Sequence, residues 1–163
     1  MKNLIIIFLA MIIISCTPTK SEFSEIAKTT KLLALDGSSI AFQEILKKHE
    51  GKTVLIEVWA SWCGDCVKNM PNLKMLQASH QNVDFLFLSA DKTADKWKEG
   101  IAKHDLKGDQ YLITDGMKGI FGASIDLNWI PRYIILDKSG KIITYRAIET
   151  DFEKVNETLS KLE

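Results

Sequence analysis

The sequence predicts an α/β domain in which a central mixed β-sheet is covered by helices on both faces. Two runs of strand formers, Thr53 to Ala60 (TVLIEVWA) and Val83 to Ala90 (VDFLFLSA), are apolar almost throughout. That composition suits strands buried on both faces rather than one. Each run precedes a helical stretch, Gly64 to about Ser79 and Thr93 to His104, giving the order βα, βα. A third signal lies near the C-terminus. Arg132 to Leu136 (RYIIL) and Lys141 to Arg146 (KIITYR) flank the turn sequence Asp137-Lys138-Ser139-Gly140, which reads as an antiparallel hairpin.

The remaining elements fill in around this frame. Lys31 to Leu35 reads as an edge strand, and Asp36-Gly37 as its turn. Ile40 to Lys48 reads as a short strand or turn running into a helix that Gly51 ends. Pro71 lies inside the first long helix, where it removes one backbone hydrogen bond and favours a kink. Ala94, Trp97 and Ile101 recur at helical spacing in the next helix, which marks Trp97 as packing. Residues 105–111 read as a polar connection, and Met117 to Ala123 as a short helical turn. Asp151 is placed to cap a last helix, with Phe152, Val155, Leu159 and Leu162 on one face.

The chain has 163 residues, enough for one domain, and 46% of them are hydrophobic, enough for a core. Lysine plus arginine number 21 and aspartate plus glutamate 21, so no charge excess points to a nucleic-acid partner. Residues 1–15 read as a signal peptide. Lys2 supplies its positive start, and Leu4 to Ile14 is an apolar run too short to cross a bilayer comfortably. The run ends in Ser15-Cys16, similar to a bacterial lipobox, in which the cysteine becomes the lipidated first residue. The competing reading is an uncleaved anchor helix. On the lipoprotein reading, Cys16 carries the lipid, residues 16–28 form a tether and 29–163 the domain. The protein is then held on a bacterial membrane in the cell envelope, with the domain facing the periplasm or the exterior.

Cys63 and Cys66 are the other two of three cysteines. In an oxidising compartment such a pair forms a disulfide, binds metal or cycles. Cys63 falls where a buried strand gives way to a helix. Unpaired N–H groups and the helix dipole there stabilise a thiolate, the form that attacks disulfides. Cys66, nearly one helical turn further on, is close enough to complete the exchange. A structural zinc site lacks its other ligands, because no second CxxC exists and His49, His80 and His104 are scattered and read as exposed. A purely structural bridge across two residues would constrain the unfolded chain little.

The segment Trp59-Ala60-Ser61-Trp62-Cys63-Gly64-Asp65-Cys66 resembles the WCxxC motif of the thioredoxin superfamily, in particular the TlpA/ResA-like membrane-anchored thiol:disulfide oxidoreductases. The resemblance covers roughly residues 30–162. It implies a thioredoxin fold with an N-terminal extension and a mid-domain insertion, and Cys63 and Cys66 as a redox-active disulfide needing no other cofactor. It places the helix proline of the family on Pro71. The cis-proline loop that faces the CxxC falls on Ile130-Pro131, where the backbone binds extended substrate and the ring keeps metal from the thiols. Trp62 and Ile130 then belong to the substrate surface. Trp129 either lines the same surface or covers the core as a loop aromatic. Arg132 reads as solvated.

Two departures from the family pattern bear on function. Asp65 replaces the usual proline before the second cysteine, beside Gly64. An anion there disfavours the thiolate, by on the order of 0.6 kcal/mol at ~7 Å in water-like surroundings. This tilts the pair towards a reductase, unless Lys68 pairs with Asp65 and cancels part of the effect. Glu57 stands in the apolar strand where thioredoxin has a buried aspartate and TlpA-like chains often have a neutral residue. It either accepts the Cys66 proton from behind the disulfide, or points outward, or pairs with Lys52 or Lys74.

The implied activity is reduction of exported protein disulfides, apocytochrome c thiols among the candidate substrates, with electrons from a membrane dithiol relay. The alternatives are a disulfide oxidase, a non-enzymatic thiol-dependent binding module and a peroxiredoxin-like thiol peroxidase. The last is disfavoured because no Pro-x-x-x-Thr-x-x-Cys pattern precedes Cys63.

Overall fold

The computed structural model describes residues 20–163. In order these form α1 (Glu25–Thr29), β1 (Lys31–Ala34), β2 (Ser39–Ala41), α2 (Phe42–Lys47), β3 (Thr53–Trp59), α3 (Gly64–Ser79) and β4 (Val83–Ser89). Then follow α4 (Ala94–His104), β5 (Asp109–Leu112), α5 (Ile120–Ser124), β6 (Arg132–Leu136), β7 (Ile142–Ala147), a single 3-10 turn at Glu149–Asp151 and α6 (Phe152–Leu162). One seven-stranded sheet runs β2-β1-β5-β4-β3-β6-β7. β3 pairs parallel to β4 and antiparallel to β6, so the sheet is mixed, as expected.

β3 lies in the interior of the sheet, between β4 and β6, because its sequence tolerates no solvent: all seven residues are buried. Each aliphatic side chain placed there contributes about 1.5–3 kcal/mol of burial. Trp59 and Trp97 are fully buried, as expected of core residues. Among the described residues no helix is long and apolar enough to cross a membrane.

Several expectations change. β1 is not an edge strand; it lies between β2 and β5, and the three-residue β2 forms the edge. The expected polar connection at 105–111 contains the start of β5, which pairs parallel with β4 and antiparallel with β1. Gly108 makes its entry possible: its φ is +121°, and a Cβ there would collide with the Phe85 carbonyl oxygen. Asp151 caps differently from expected. Its Oδ2 accepts the Ile148 N–H at 3.0 Å, closing the 3-10 turn, and makes no side-chain cap to α6.

Residue 29 is not where the packed structure begins. Phe23 and Ala27 are buried, Phe23 meets Phe42 edge-to-face at 4.9 Å, and Ser21 O accepts the Ile142 N–H at 2.9 Å. Lys20 reaches Tyr145 and Asp126. Two apolar side chains in a polar stretch suffice to seat it, so most of the expected 16–28 tether belongs to the fold. The expected signal peptide and Cys16 lie outside the described residues.

Two histidines are buried rather than exposed. His49 Nδ1 lies 2.8 Å from Asp84 Oδ2, and His80 bridges Glu163 (2.7 Å) and Asn156 (2.8 Å). Arg132, expected in solvent, is 1% exposed; its Nη2 donates to Asn128 Oδ1 at 2.6 Å. That bond braces the loop between them.

Candidate active site

β3 delivers the chain to the carboxyl end of the sheet, where a short turn leads into α3. Cys63 is the N-cap residue: its backbone is extended (φ −80°, ψ 109°), and its Sγ accepts the Cys66 N–H at 3.1 Å. A sulfur in this position takes the place that a serine or aspartate oxygen usually fills at a helix start, facing unpaired N–H groups. Cys63 and Cys66 form a disulfide, with Cα atoms 5.3 Å apart. Cys63 retains slight exposure, whereas Cys66 has none. An outside partner therefore meets Cys63 first.

Opposite the disulfide, the Ile130–Pro131 peptide is cis, as the family resemblance implied, and the Ile130 carbonyl oxygen lies 3.5 Å from Cys63 Sγ. Ile130 and Pro131 are buried. Trp62 is 57% exposed and Trp129 48%, one in the segment before the disulfide and one in the cis-proline loop. Trp129 Nε1 donates to Glu149 Oε2 at 3.2 Å, which holds the indole at the surface instead of over the core. Gly64 and Asp65 are exposed in the first turn of α3. Among the ion pairs of the described residues none joins Asp65 to Lys68, so the aspartate's charge is not cancelled in that way.

Glu57 points inward. It is 2% exposed, faces Tyr133 across the β3–β6 pairing and is not among the ion-paired carboxylates, so neither Lys52 nor Lys74 neutralises it. Burial pushes its pKa from an ordinary 4.5 up to about 8, and the Tyr133 hydroxyl offsets part of that rise.

Sequence reasoning missed Asp91. It is 2% exposed and follows β4, whose carboxyl end lies beside that of β3. Its carboxylate accepts the Ser61 N–H (3.1 and 3.2 Å), the Ser61 hydroxyl (2.7 Å) and the Ser89 hydroxyl (2.8 Å). Asp91 thus fixes the turn that presents Trp62 and Cys63. The available signal was its place just past the carboxyl end of a buried strand, where open α/β folds build their sites. Gly100 of α4 packs on the same turn, where a Cβ would come within 2.7 Å of Ser61 Cβ and 3.1 Å of Trp59.

A helix-capping CxxC facing a cis-proline decides the kinship, and comparison with known sequences agrees: the Redoxin family pattern matches residues 18–162. The chain belongs to the Redoxin family. Among Redoxin relatives, thiol-disulfide oxidoreductase ResA of Bacillus thuringiensis subsp. konkukian is 29% identical over 149 residues, covering 88% of this chain and 82% of that one. Thiol:disulfide interchange protein DsbE of Vibrio cholerae is 30% identical over 152 residues, covering 89% and 77%. A Bacteroides vulgatus protein solved in solution superposes with a TM-score of 0.67 at 31% identity, covering 93% of both chains. This Redoxin chain is a thioredoxin-like thiol:disulfide oxidoreductase of the ResA and DsbE type. Among the described residues no group of three or more His, Cys, Asp or Glu side chains is placed to hold a metal ion.

Proposed function

We propose that this chain reduces disulfides of exported proteins, with Cys63 as nucleophile and Cys66 as resolving thiol. The observation that carries this reading is the seat of Cys63 Sγ at the N-cap of α3, accepting a backbone N–H. In the dithiol form the Cys63 thiolate attacks a partner disulfide; one partner sulfur leaves as thiolate and a mixed disulfide forms. Cys66 then gives its proton to the Glu57 carboxylate and attacks Cys63 Sγ. The second partner thiolate leaves, and Cys63–Cys66 is the oxidised product. An acceptor whose pKa burial has pushed up to about 8, close to that of a thiol, suits this step. Substrate enters as an extended segment along the cis-proline loop, Ile130 supplying backbone contacts, Pro131 the loop geometry and Trp62 and Trp129 the flanking surface. Asp65, exposed and beside the nucleophile, opposes thiolate formation and tilts the pair towards donating electrons.

The two electrons lost per cycle come back from a membrane dithiol relay. Cys16 carries the lipid that keeps the domain at that membrane, in the cell envelope and facing the periplasm or exterior. Apocytochrome c thiols awaiting haem are one substrate class, a reading supported by the likeness to ResA and DsbE proteins.

The test is Cys66→Ser in the full chain. Without the resolving thiol, exchange should stop at the mixed disulfide and accumulate Cys63-linked partners that dithiothreitol releases. The Cys63→Ser, Cys66→Ser double variant should trap nothing. Identifying the partners names the substrate class; their absence from the single variant sinks the reading.

A further inference from the structure

Three polar side chains lie between Glu57 and the surface of α3, and the mechanism uses none of them. Asn72 Nδ2 donates to Asn69 Oδ1 at 2.7 Å, and Asn69 Nδ2 donates to the Tyr133 hydroxyl oxygen at 2.6 Å. Exposure falls along the series from half-buried Asn72 to Asn69 at 7%, Tyr133 at 2% and Glu57 at 2%. Asn69 and Asn72 share one face of α3 at helical spacing, while Tyr133 stands directly opposite Glu57 in the β3–β6 register.

The direction of these bonds matters. The Asn69 carbonyl is engaged by Asn72, so its amide faces Tyr133 as a donor. The Tyr133 oxygen then accepts, and its own O–H is free for another acceptor. Glu57 Oε2 has no hydrogen-bond partner in the resting geometry. The residues opposite Glu57 in the sheet are Phe87 from β4 and Tyr133 from β6; Asn69 of α3 reaches Tyr133, and Glu149, before α6, is a further charge felt by Tyr133. Tyr133 is the titratable group that faces the carboxyl across the β3–β6 pairing.

We propose that Tyr133 is a positioning residue for Glu57, held by the Asn72–Asn69 chain as a hydrogen-bond donor to that carboxylate. The inference rests on Glu57 acting as the buried acceptor. The chain polarises the site and carries no proton, because amide N–H groups do not pass protons on. Its effect is to hold Glu57 closer to its ionised form than burial alone would allow, and to aim one oxygen while the other stays free for the Cys66 proton. Burial raises the Tyr133 pKa, so the phenol remains a donor across the working range.

The experiment reads the Glu57 titration by carboxyl carbon NMR in the oxidised protein, where neither thiol titrates, for wild type, Tyr133→Phe and Asn69→Ala. Tyr133→Phe, which removes a single oxygen, should move the midpoint up by roughly one pH unit, the worth of a hydrogen bond to a charged group. Asn69→Ala should move it in the same direction by less, and it serves as the second variant if Tyr133→Phe fails to fold. Resolution by Cys66, followed as decay of the mixed disulfide, should shift its pH profile in parallel. An unchanged or lowered midpoint in Tyr133→Phe, with wild-type titration near 8, overturns the proposal alone, because Tyr133 would then donate to Asn69. A wild-type Glu57 that titrates as an ordinary carboxylate overturns the acceptor reading and this proposal together.

Discussion

Glu57→Gln should flatten the pH dependence of stability and make the protein more stable than wild type in alkali. In the folded chain the carboxyl holds its proton up to about pH 8, whereas its ordinary value is 4.5. Between those values the native state binds a proton that the unfolded state releases, so stability falls as pH rises. The contribution is complete below pH 4.5, declines up to about pH 8 and is gone above it. At about 1.4 kcal/mol per pH unit the whole loss is on the order of 5 kcal/mol. Glutamine has nearly the same shape and carries no charge to desolvate. Urea unfolding of the oxidised forms should therefore show equal stabilities near pH 4.5 and a variant ahead by several kcal/mol at pH 9. Parallel curves across the range would mean that Glu57 ionises as a surface carboxylate does. The same variant loses the acceptor for the Cys66 proton, and resolution should slow by about 10²-fold or more. Stability and turnover are thus expected to move in opposite directions, as happens where a site keeps a costly buried group for its chemistry.

Asp91→Ala is expected to cost about 3 kcal/mol or more and to lower the thermal midpoint by roughly 10 °C. The substitution strands the Ser61 N–H and leaves the Ser61 and Ser89 hydroxyls without their shared acceptor. It also frees the turn that carries Trp62 and Cys63, so exchange with a protein disulfide should fall further than exchange with a small disulfide that needs no docking. Asp91→Asn, which keeps one acceptor oxygen, should lie between. Wild-type unfolding and wild-type exchange in Asp91→Ala would remove Asp91 from the site.

The two parallel strands, α4 and the placement of Cys63 were legible because each leaves a local mark: an apolar run, a helical spacing of Ala94, Trp97 and Ile101, a cysteine where a buried strand ends. β5 left none. Two of its four residues are polar, and Gln110 is buried there without a partner for its amide. His49 and His80 were misjudged for a related reason. A charged or polar residue is exposed by default, and its burial depends on partners that local sequence does not name. His49 finds Asp84 35 residues away, and His80 finds Glu163 83 residues away. Asp91 was missed because its meaning lies in Ser61, 30 residues earlier. Glu57 was legible as an anomaly in an apolar strand, but only the β3–β6 register turned it inward onto Tyr133.

The segment from Lys20 to Thr29 bears on how the molecule avoids its neighbours. An open sheet ends in two rows of unpaired backbone groups, each a template on which another chain can add. On one side the last strand, β2, is only three residues long. On the other, β7 pairs with β6 through register irregularities, and the Ser21 carbonyl takes up the Ile142 N–H at its start. The polar stretch that looked like a leash is therefore also a guard: cut back to residue 29, the chain would bare both a strand border and the face of Phe42 that Phe23 covers, and would be expected to self-associate through them.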